Sequence, residues 1–291
     1  MEATIEATRI VQVTQYGRSF HRASHPLIAA AGAEFCSGFE DGTLRFFNVA
    51  LPHCDRMVDF GAYVGFTTLY AATFGGSVFA FEPSPRNFAL LTENVAANPL
   101  LAGRIRLFRH GLGVREEEVT LYAKGMADSG SSIFRDIERD GLVRGAADAT
   151  IVLRDAEAVL REVRLDHRTL LKIDIEGAEY LVLPAIAALL ADRKPWLHVS
   201  FHPFNLVQGA NSYANAVARL RASFQVAEAL ASYRYMHLYS EGMWTTVGPA
   251  GRMDFLRQYL LKPKPVPRVA SPQYGFVDAV GFSEEALPEG A

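Results

Sequence analysis

From Met57 onward, short apolar runs ending in Gly or Pro alternate with longer stretches of helical spacing, and this alternation constrains the fold more than any other feature. Met57-Val58-Asp59-Phe60 reads as a strand that stops at Gly61, and Val64 to Phe74 follows with helical spacing. Ser77 to Phe81 is the next strand, and Arg86 to Asn98 the next helix, with Phe88, Leu91 and Val95 on one face. Ile105 to Phe108, Thr169 to Ile173 and Pro195 to Phe201 read as further strands, with helices at Ala156 to Val163 and Ala178 to Leu190. Strand–helix–strand units close as right-handed crossovers onto a parallel sheet, so the expectation is a doubly wound, Rossmann-like α/β core. A helix at Tyr213 to Phe224 and strands at Tyr233 to Leu238 and Met243 to Val247 complete the count.

Around this core the pattern weakens. In the first 56 residues, a small-residue and apolar stretch from His25 to Ala33 and a run from Leu44 to Val49 suit a helix followed by a strand or hairpin at one edge. Gly111 to Asp148 reads as irregular apart from a strand at Val119 to Tyr122, and the chain from Lys262 onward is Pro-containing and extended. The expected division is therefore an extension at 1–56, a catalytic domain at 57–261 and a tail at 262–291. A net charge of −3 with no basic stripe speaks against nucleic acid as a partner. No apolar run is long enough to span a bilayer, and charges interrupt the N-terminal segment, so the expectation is a cytoplasmic protein. Cys36 and Cys54 lack metal or redox spacing and read as reduced thiols.

The chemistry gathers where the first two strands end. In Gly61-Ala62-Tyr63-Val64-Gly65 the two glycines let the backbone turn sharply and approach a ligand at the sheet edge where open α/β folds bind. Gly-x-x-x-Gly differs from the Gly-x-Gly-x-x-Gly turn that grips a pyrophosphate, so a nucleoside without phosphates fits better than a dinucleotide. Glu82-Pro83 closes the second strand, where a carboxylate can accept hydrogen bonds from both ribose hydroxyls. Asp59, Gly61, Gly65 and Glu82 are the candidate cofactor residues.

Three strings, VDFGAYVGFTTLYAA (58–72), FAFEPSPRNFALLTENVAANP (79–99) and LLKIDIEGAEYLVLPAI (170–186), resemble successive signature blocks of the FkbM-like methyltransferases. The resemblance implies a seven-stranded sheet with one antiparallel strand, for which Met243 to Val247 is the candidate C-terminal partner, and S-adenosylmethionine as cofactor. It adds Ala62, Tyr63 and Pro83 to the cofactor residues and implies that His110-Gly111-Leu112 borders the adenine. Tyr63 stands where the family usually has Asn.

On the reacting side, Asp174 ends a strand at the same edge, where a carboxylate can take a hydroxyl proton. Glu176 and Glu179 follow in the first turn of the next helix, with capping the simpler role for Glu179. In His198-Val199-Ser200-Phe201-His202 the period of two puts both histidines on one face, His202 at the strand end where a general base or metal ligand would sit and His198 in the core. Ser200 stands where the family often carries Glu, so no second hard oxygen ligand is evident beside Asp174 and no obligatory metal is expected. The loop from Ala127 to Ser132 is a candidate cover. The expected acceptor is a hydroxyl of a small molecule, sugar or natural-product intermediate. A nicotinamide oxidoreductase and a silent cofactor-binding domain are the rival readings.

Overall fold

A computed structural model of the chain describes residues 9–24, 40–123, 131–134, 136–137, 143–144, 146–202, 206, 212–240, 243–248, 252, 269–271, 275–277 and 279–288. The expected helix at His25 to Ala33, Cys36, residues 127–130 of the candidate cover and the start of the tail lie outside them. The first described element is a hairpin, β1 (Arg9–Gln15) and β2 (Arg18–Ser24), turned by Tyr16 and Gly17 in left-handed conformations that match the twist of the paired strands. The sequence reading contains no such hairpin. It buries only Val13, Phe20 and Ala23, too short a pattern to stand out.

The stretch expected as a strand from Leu44 to Val49 is instead helical, within α1 (Asp41–Ala50). Thr43, Phe46 and Phe47, Ala50 are buried at helical spacing, which outweighs the period of two that Leu44 and Phe46 suggest. The alternation then proceeds as β3 (Arg56–Phe60), α2 (Phe66–Ala72), β4 (Ser77–Phe81), α3 (Pro85–Ala96), α4 (Pro99–Ala102) and β5 (Ile105–Phe108). The middle segment is more regular than expected. It holds β6 (Gly111–Gly113), β7 (Glu117–Ala123), β8 (Asp136–Ile137), β9 (Val143–Arg144) and the ten-residue β10 (Ala146–Asp155), with β6 and β7 flanking β10 in a separate small sheet.

After α5 (Ala156–Glu162) and β11 (Thr169–Ile173), the single helix expected over 178–190 is two, α6 (Glu179–Ala185) and α7 (Ala187–Arg193). Pro184 has no N–H to give the helix, and Ile186 sits at φ −98°, ψ 8°, where the first helix ends. The order closes with β12 (Trp196–Val199), α8 (Ser212–Leu230), β13 (Tyr235–Ser240), β14 (Met243–Val247), β15 (Val269–Ser271), β16 (Gly275–Val277) and β17 (Ala279–Ser283).

The central sheet has eight strands in the order β14-β13-β17-β12-β11-β3-β4-β5. From β12 to β5 the strands are parallel, and the doubly wound α/β class is as expected. The count is eight rather than seven. β14, the expected C-terminal partner, pairs at the outer edge, while the inner antiparallel strand between β12 and β13 is β17, from the stretch expected to be an extended tail. Five residues of Ala-Val-Gly-Phe-Ser give little periodicity, and only pairing on both sides makes them a strand.

The two faces of the sheet differ. One is apolar, with Val58, Phe60, Leu171, Ile173, Leu197, Val199 and Phe282 packed beneath α5 to α8. On the other, the interstrand register aligns Asp59, Lys172, His198, Gly281 and His237 in one row. Helix α1 covers this row, and the Phe46 ring lies against His198 and His237 with centroids 5.9 and 6.5 Å away. Gly281 makes room for it, since a Cβ there would lie 2.3 Å from Phe46. Gly281→Ala is therefore expected to destabilise the fold by about 1–3 kcal/mol, the usual cost of overpacking a core, measured by urea unfolding. An unchanged midpoint would show that the Phe46 contact does not hold α1 on the sheet.

Candidate active site

A cavity of about 350 Å³ opens at the C-terminal ends of β3, β4, β11 and β12. Its floor is the turn after β3. Gly61 is left-handed at φ 83°, and a Cβ there would lie 1.8 Å from the Asp174 carbonyl oxygen, so only glycine lets the ends of β3 and β11 meet. The turn is pinned to β4 by N–H groups of Gly61 and Ala62 that both donate to the Phe81 carbonyl, at 3.1 and 3.0 Å. Tyr63 is also left-handed, and its N–H donates to Glu82 Oε2 at 2.9 Å. The Ser84 N–H donates to Glu82 Oε1 at 2.9 Å, so each oxygen of this buried carboxylate is fixed by one backbone amide. Burial raises the Glu82 pKa to about 7 against those hydrogen bonds.

The cofactor residues named from the sequence divide into two groups. Gly61, Ala62, Tyr63, Glu82, Pro83, Gly111 and Leu112 line the cavity. Asp59, Gly65 and His110 are not among the lining residues. The buried Asp59 carboxylate takes the Thr67 and Thr68 hydroxyls at 2.9 and 2.7 Å and lies 3.2 Å from Lys172 Nζ, which ties the start of α2 to β11. Gly65 starts α2 at φ 93°, and a Cβ there would lie 2.5 Å from Leu91, so its smallness serves the packing of α2 on α3. His110 packs edge-on against Phe81 and Phe108.

Lys172 and Glu40 line the cavity and were not among the candidates. Lys172 is buried, with Nζ 3.2 Å from the Gly61 carbonyl, 3.2 Å from Asp59 and 3.5 Å from Asp174. Burial works against its charge, but Asp59, Asp174 and Glu40 outweigh that and hold its pKa above the usual value. A signal existed, because a lysine inside Thr-Leu-Leu-Lys-Ile, otherwise the pattern of a fully buried strand, must have an anionic partner. For Glu40 there was none, since it precedes a helix that the sequence reading places as a strand.

On the opposite side, Asp174, Glu176, Ser200 and His202 line the cavity. His202 Nε2 lies 3.4 Å from Glu176 and 3.8 Å from Asp174, and Nδ1 lies 3.4 Å from the buried Glu179. Glu179 also takes the N–H groups of Gly177 and His202, at 2.8 and 2.6 Å, so it locks the loop after β11 to the end of β12. Burial opposes a charge on His202, but the carboxylates of Glu176, Glu179 and Asp174 raise its pKa to about 10. It is therefore an imidazolium at neutral pH and not the free base expected there. Asp174 is held below the usual carboxylate range, since the charges of Lys172 and His202 overcome its burial. His198 is a core residue as expected, neutral because burial lowers its pKa to about 3, but neither ring nitrogen has a hydrogen-bond partner among the described residues.

Ligand atoms of Asp174, Glu176 and His202 all lie within 4.8 Å of one another, spacing that a metal ion could bridge. The ground for expecting no obligatory metal, a missing second carboxylate beside Asp174, therefore does not hold: Glu176 turns back into the site through a left-handed backbone at φ 52°. Of the expected cover, Ser131 lines the cavity and Ser132 Oγ donates to the Glu176 carbonyl at 2.6 Å. Leu121, Ile133, Ile151 and Leu153 form an apolar wall built by the small sheet. No helix among the described residues is long and apolar enough to cross a membrane.

The family model described as the methyltransferase FkbM domain matches residues 59–235. Methyltransferase sdnD of Sordaria araneosa is 30% identical over 166 residues, which is 47% of this chain and 62% of that protein, so the chain spans less than two thirds of this relative. Among solved structures, methyltransferase FkbM from Methylobacillus flagellatus is similar at 17% identity and a TM-score of 0.42, over 79% of this chain and 44% of its own. Precorrin-6y C5,15-methyltransferase from Geobacter metallireducens is similar at 11% identity and a TM-score of 0.39, over 85% of this chain and 89% of its own.

The raised His202 pKa has a consequence for stability. A group with a folded pKa near 10 and an unfolded value near 6.5 contributes stability in full below pH ~6.5 and loses it as pH rises to about 10. Thermal unfolding of wild type and His202→Gln is expected to show a gap that is constant below pH ~6.5, shrinks above it and closes near pH 10. A gap that does not change with pH would mean that folding leaves the His202 pKa where it is in the unfolded chain.

Proposed function

The chain belongs to the methyltransferase FkbM domain family, and from that membership we propose that the cavity takes S-adenosylmethionine and that the protein moves the methyl group to a hydroxyl oxygen of a small molecule, sugar or natural-product intermediate. The observation that carries the cofactor reading is Glu82. Its carboxylate is fixed by the Tyr63 and Ser84 amides and the Asn87 side chain, and with about four lone pairs in all it can still accept from a ribose hydroxyl. Gly61, at the next strand end, lines the same cavity and lets the ends of β3 and β11 meet to form its floor.

S-adenosylmethionine supplies a methyl carbon on a cationic sulfur that leaves as a neutral thioether. The protein's part is to align the acceptor and take its proton. Asp174 does this as an ionised carboxylate at the cavity edge, held in place by Lys172 and His202. His202, as an imidazolium, orients Asp174 and Glu176 and can donate to an acceptor oxygen. With His202 as the cation facing those carboxylates, the reading requires no metal. The stretches outside 57–261 also reach the site, since Glu40 from before it and Val280 from after it both line the cavity.

Glu82→Ala is expected to weaken S-adenosylhomocysteine binding by one to two decades, the equivalent of about 1.5–3 kcal/mol for hydrogen bonds to a charged acceptor. In wild type the affinity falls as pH drops below about 7 and Glu82 takes up a proton, a trend the variant lacks. Calorimetry showing equal affinities at pH 8 would remove Glu82 from the site. Asp174→Asn is expected to lower turnover by about 10²–10⁴-fold while changing S-adenosylhomocysteine affinity far less, with equal wild-type rates in EDTA and in Mg²⁺. A rate lost in EDTA and restored by Mg²⁺ would instead assign Asp174, Glu176 and His202 to a metal.

A further inference from the structure

We infer that Glu40, from the segment ahead of the first core strand, binds the α-ammonium group of the cofactor's zwitterionic amino-acid end and so forms its second anionic anchor. The inference rests on the cofactor reading above and assigns a residue outside the stretch that the family model matches, 59–235. Its position is the first argument. Glu40 starts α1 in a left-handed conformation at φ 56°, its carbonyl takes the Leu44 N–H at 2.8 Å and its carboxylate takes the Thr43 hydroxyl. This fixes the side chain where it lines the cavity together with Lys172 and Asp174.

The order of strands places it relative to the rest of the ligand. Glu82 lies at the end of β4, and neighbouring strands are about 4.8 Å apart. A ribose held by Glu82 directs the remainder of the ligand across the β3 turn toward the end of β11. Glu40 lines the cavity with Lys172 of β11 and with Asp174 just past that strand's end, and the charges of both act on it. On this reading, Glu40 therefore stands toward the β11 side of the β3 turn, where the amino-acid end of a nucleoside anchored at Glu82 arrives.

Charge balance is the second argument. Lys172 already faces Asp59 at 3.2 Å and Asp174 at 3.5 Å, and His202 faces Asp174, Glu176 and Glu179. Glu40 adds a further carboxylate beside Asp174, and its pKa is raised, first by burial and then by that neighbour, with Lys172 opposing. A carboxylate so placed favours a cationic group next to it, and the α-ammonium of the zwitterionic amino-acid end is such a group.

Two probes that share the nucleoside test this. S-adenosylhomocysteine carries the amino-acid end, and 5′-deoxy-5′-methylthioadenosine lacks it. By calorimetry, Glu40→Gln is expected to weaken S-adenosylhomocysteine binding about 10–100-fold, as for loss of a charge-assisted hydrogen bond, while methylthioadenosine affinity stays within about twofold. Retained methylthioadenosine binding also shows that the variant is folded. Unchanged affinity for both probes overturns the inference and places Glu40 on the acceptor side. An equal loss for both overturns it as well, because Glu40 then acts by supporting the turn. Wild-type protein that binds neither probe would overturn the cofactor reading itself, and this inference with it.

Discussion

Lys172 is an ammonium group buried in the middle of a sheet, and much of the site is arranged around keeping it charged. Its Nζ reaches Asp59 on the neighbouring strand, the Gly61 carbonyl in the turn above and Asp174 just past the end of its own strand. Because β3 and β11 are paired with Lys172 opposite Asp59, one ion pair fixes the register of the two strands whose ends form the floor of the cavity. Asp59 passes the constraint on through Thr67 and Thr68, which fasten the first turn of α2. Removing one partner from such a buried pair typically costs about 3–5 kcal/mol, since the other charge is stranded without solvent. Asp59 is thus the foundation of the turn after β3, and Glu82, unlike Asp59, lines the cavity.

A second lock of the same type lies one strand further along. Buried Glu179 accepts the amides of Gly177 and His202 and faces the His202 ring, so the end of β12 and the loop after β11 move as one unit. The two locks meet at Asp174, which faces Lys172 on one side and His202 on the other. Preorganisation of this kind is what a transfer between two bound molecules needs, because a reacting geometry a fraction of an ångström loose loses rate. The apolar wall of Leu121, Ile151 and Leu153 closes the opposite side and lowers the local dielectric, which strengthens both locks.

A good part of this was legible in the sequence. Alternating strands and helices from Met57 to Phe201 gave the fold class, since hydrophobic periodicity and glycine turns are local properties of the chain. The strings at 58–72, 79–99 and 170–186 led to the family because each is contiguous. They also contain Gly61, Glu82 and Asp174, which the structure brings to one cavity with His202.

Tertiary structure alone decided what each group does there. Asp59 and Glu82 look alike in sequence, as acids near the ends of two successive strands, but Asp59 sits one residue before its strand's end and points down into the row shared with Lys172, while Glu82 follows its strand and meets the turn. His202 reads as a base from its place on the strand, yet three carboxylates that converge from the loop after β11 and from α6 make it a cation. Glu40, Val280 and the strand β17 come to the site or the central sheet from outside the periodic core. Their roles depend on contacts between residues far apart in the chain, such as Gly281 yielding space to Phe46. Local sequence determines which way a segment turns and which face it buries; pKa, pairing and proximity are set by what lies across the fold, and that is fixed only when the chain has closed on itself.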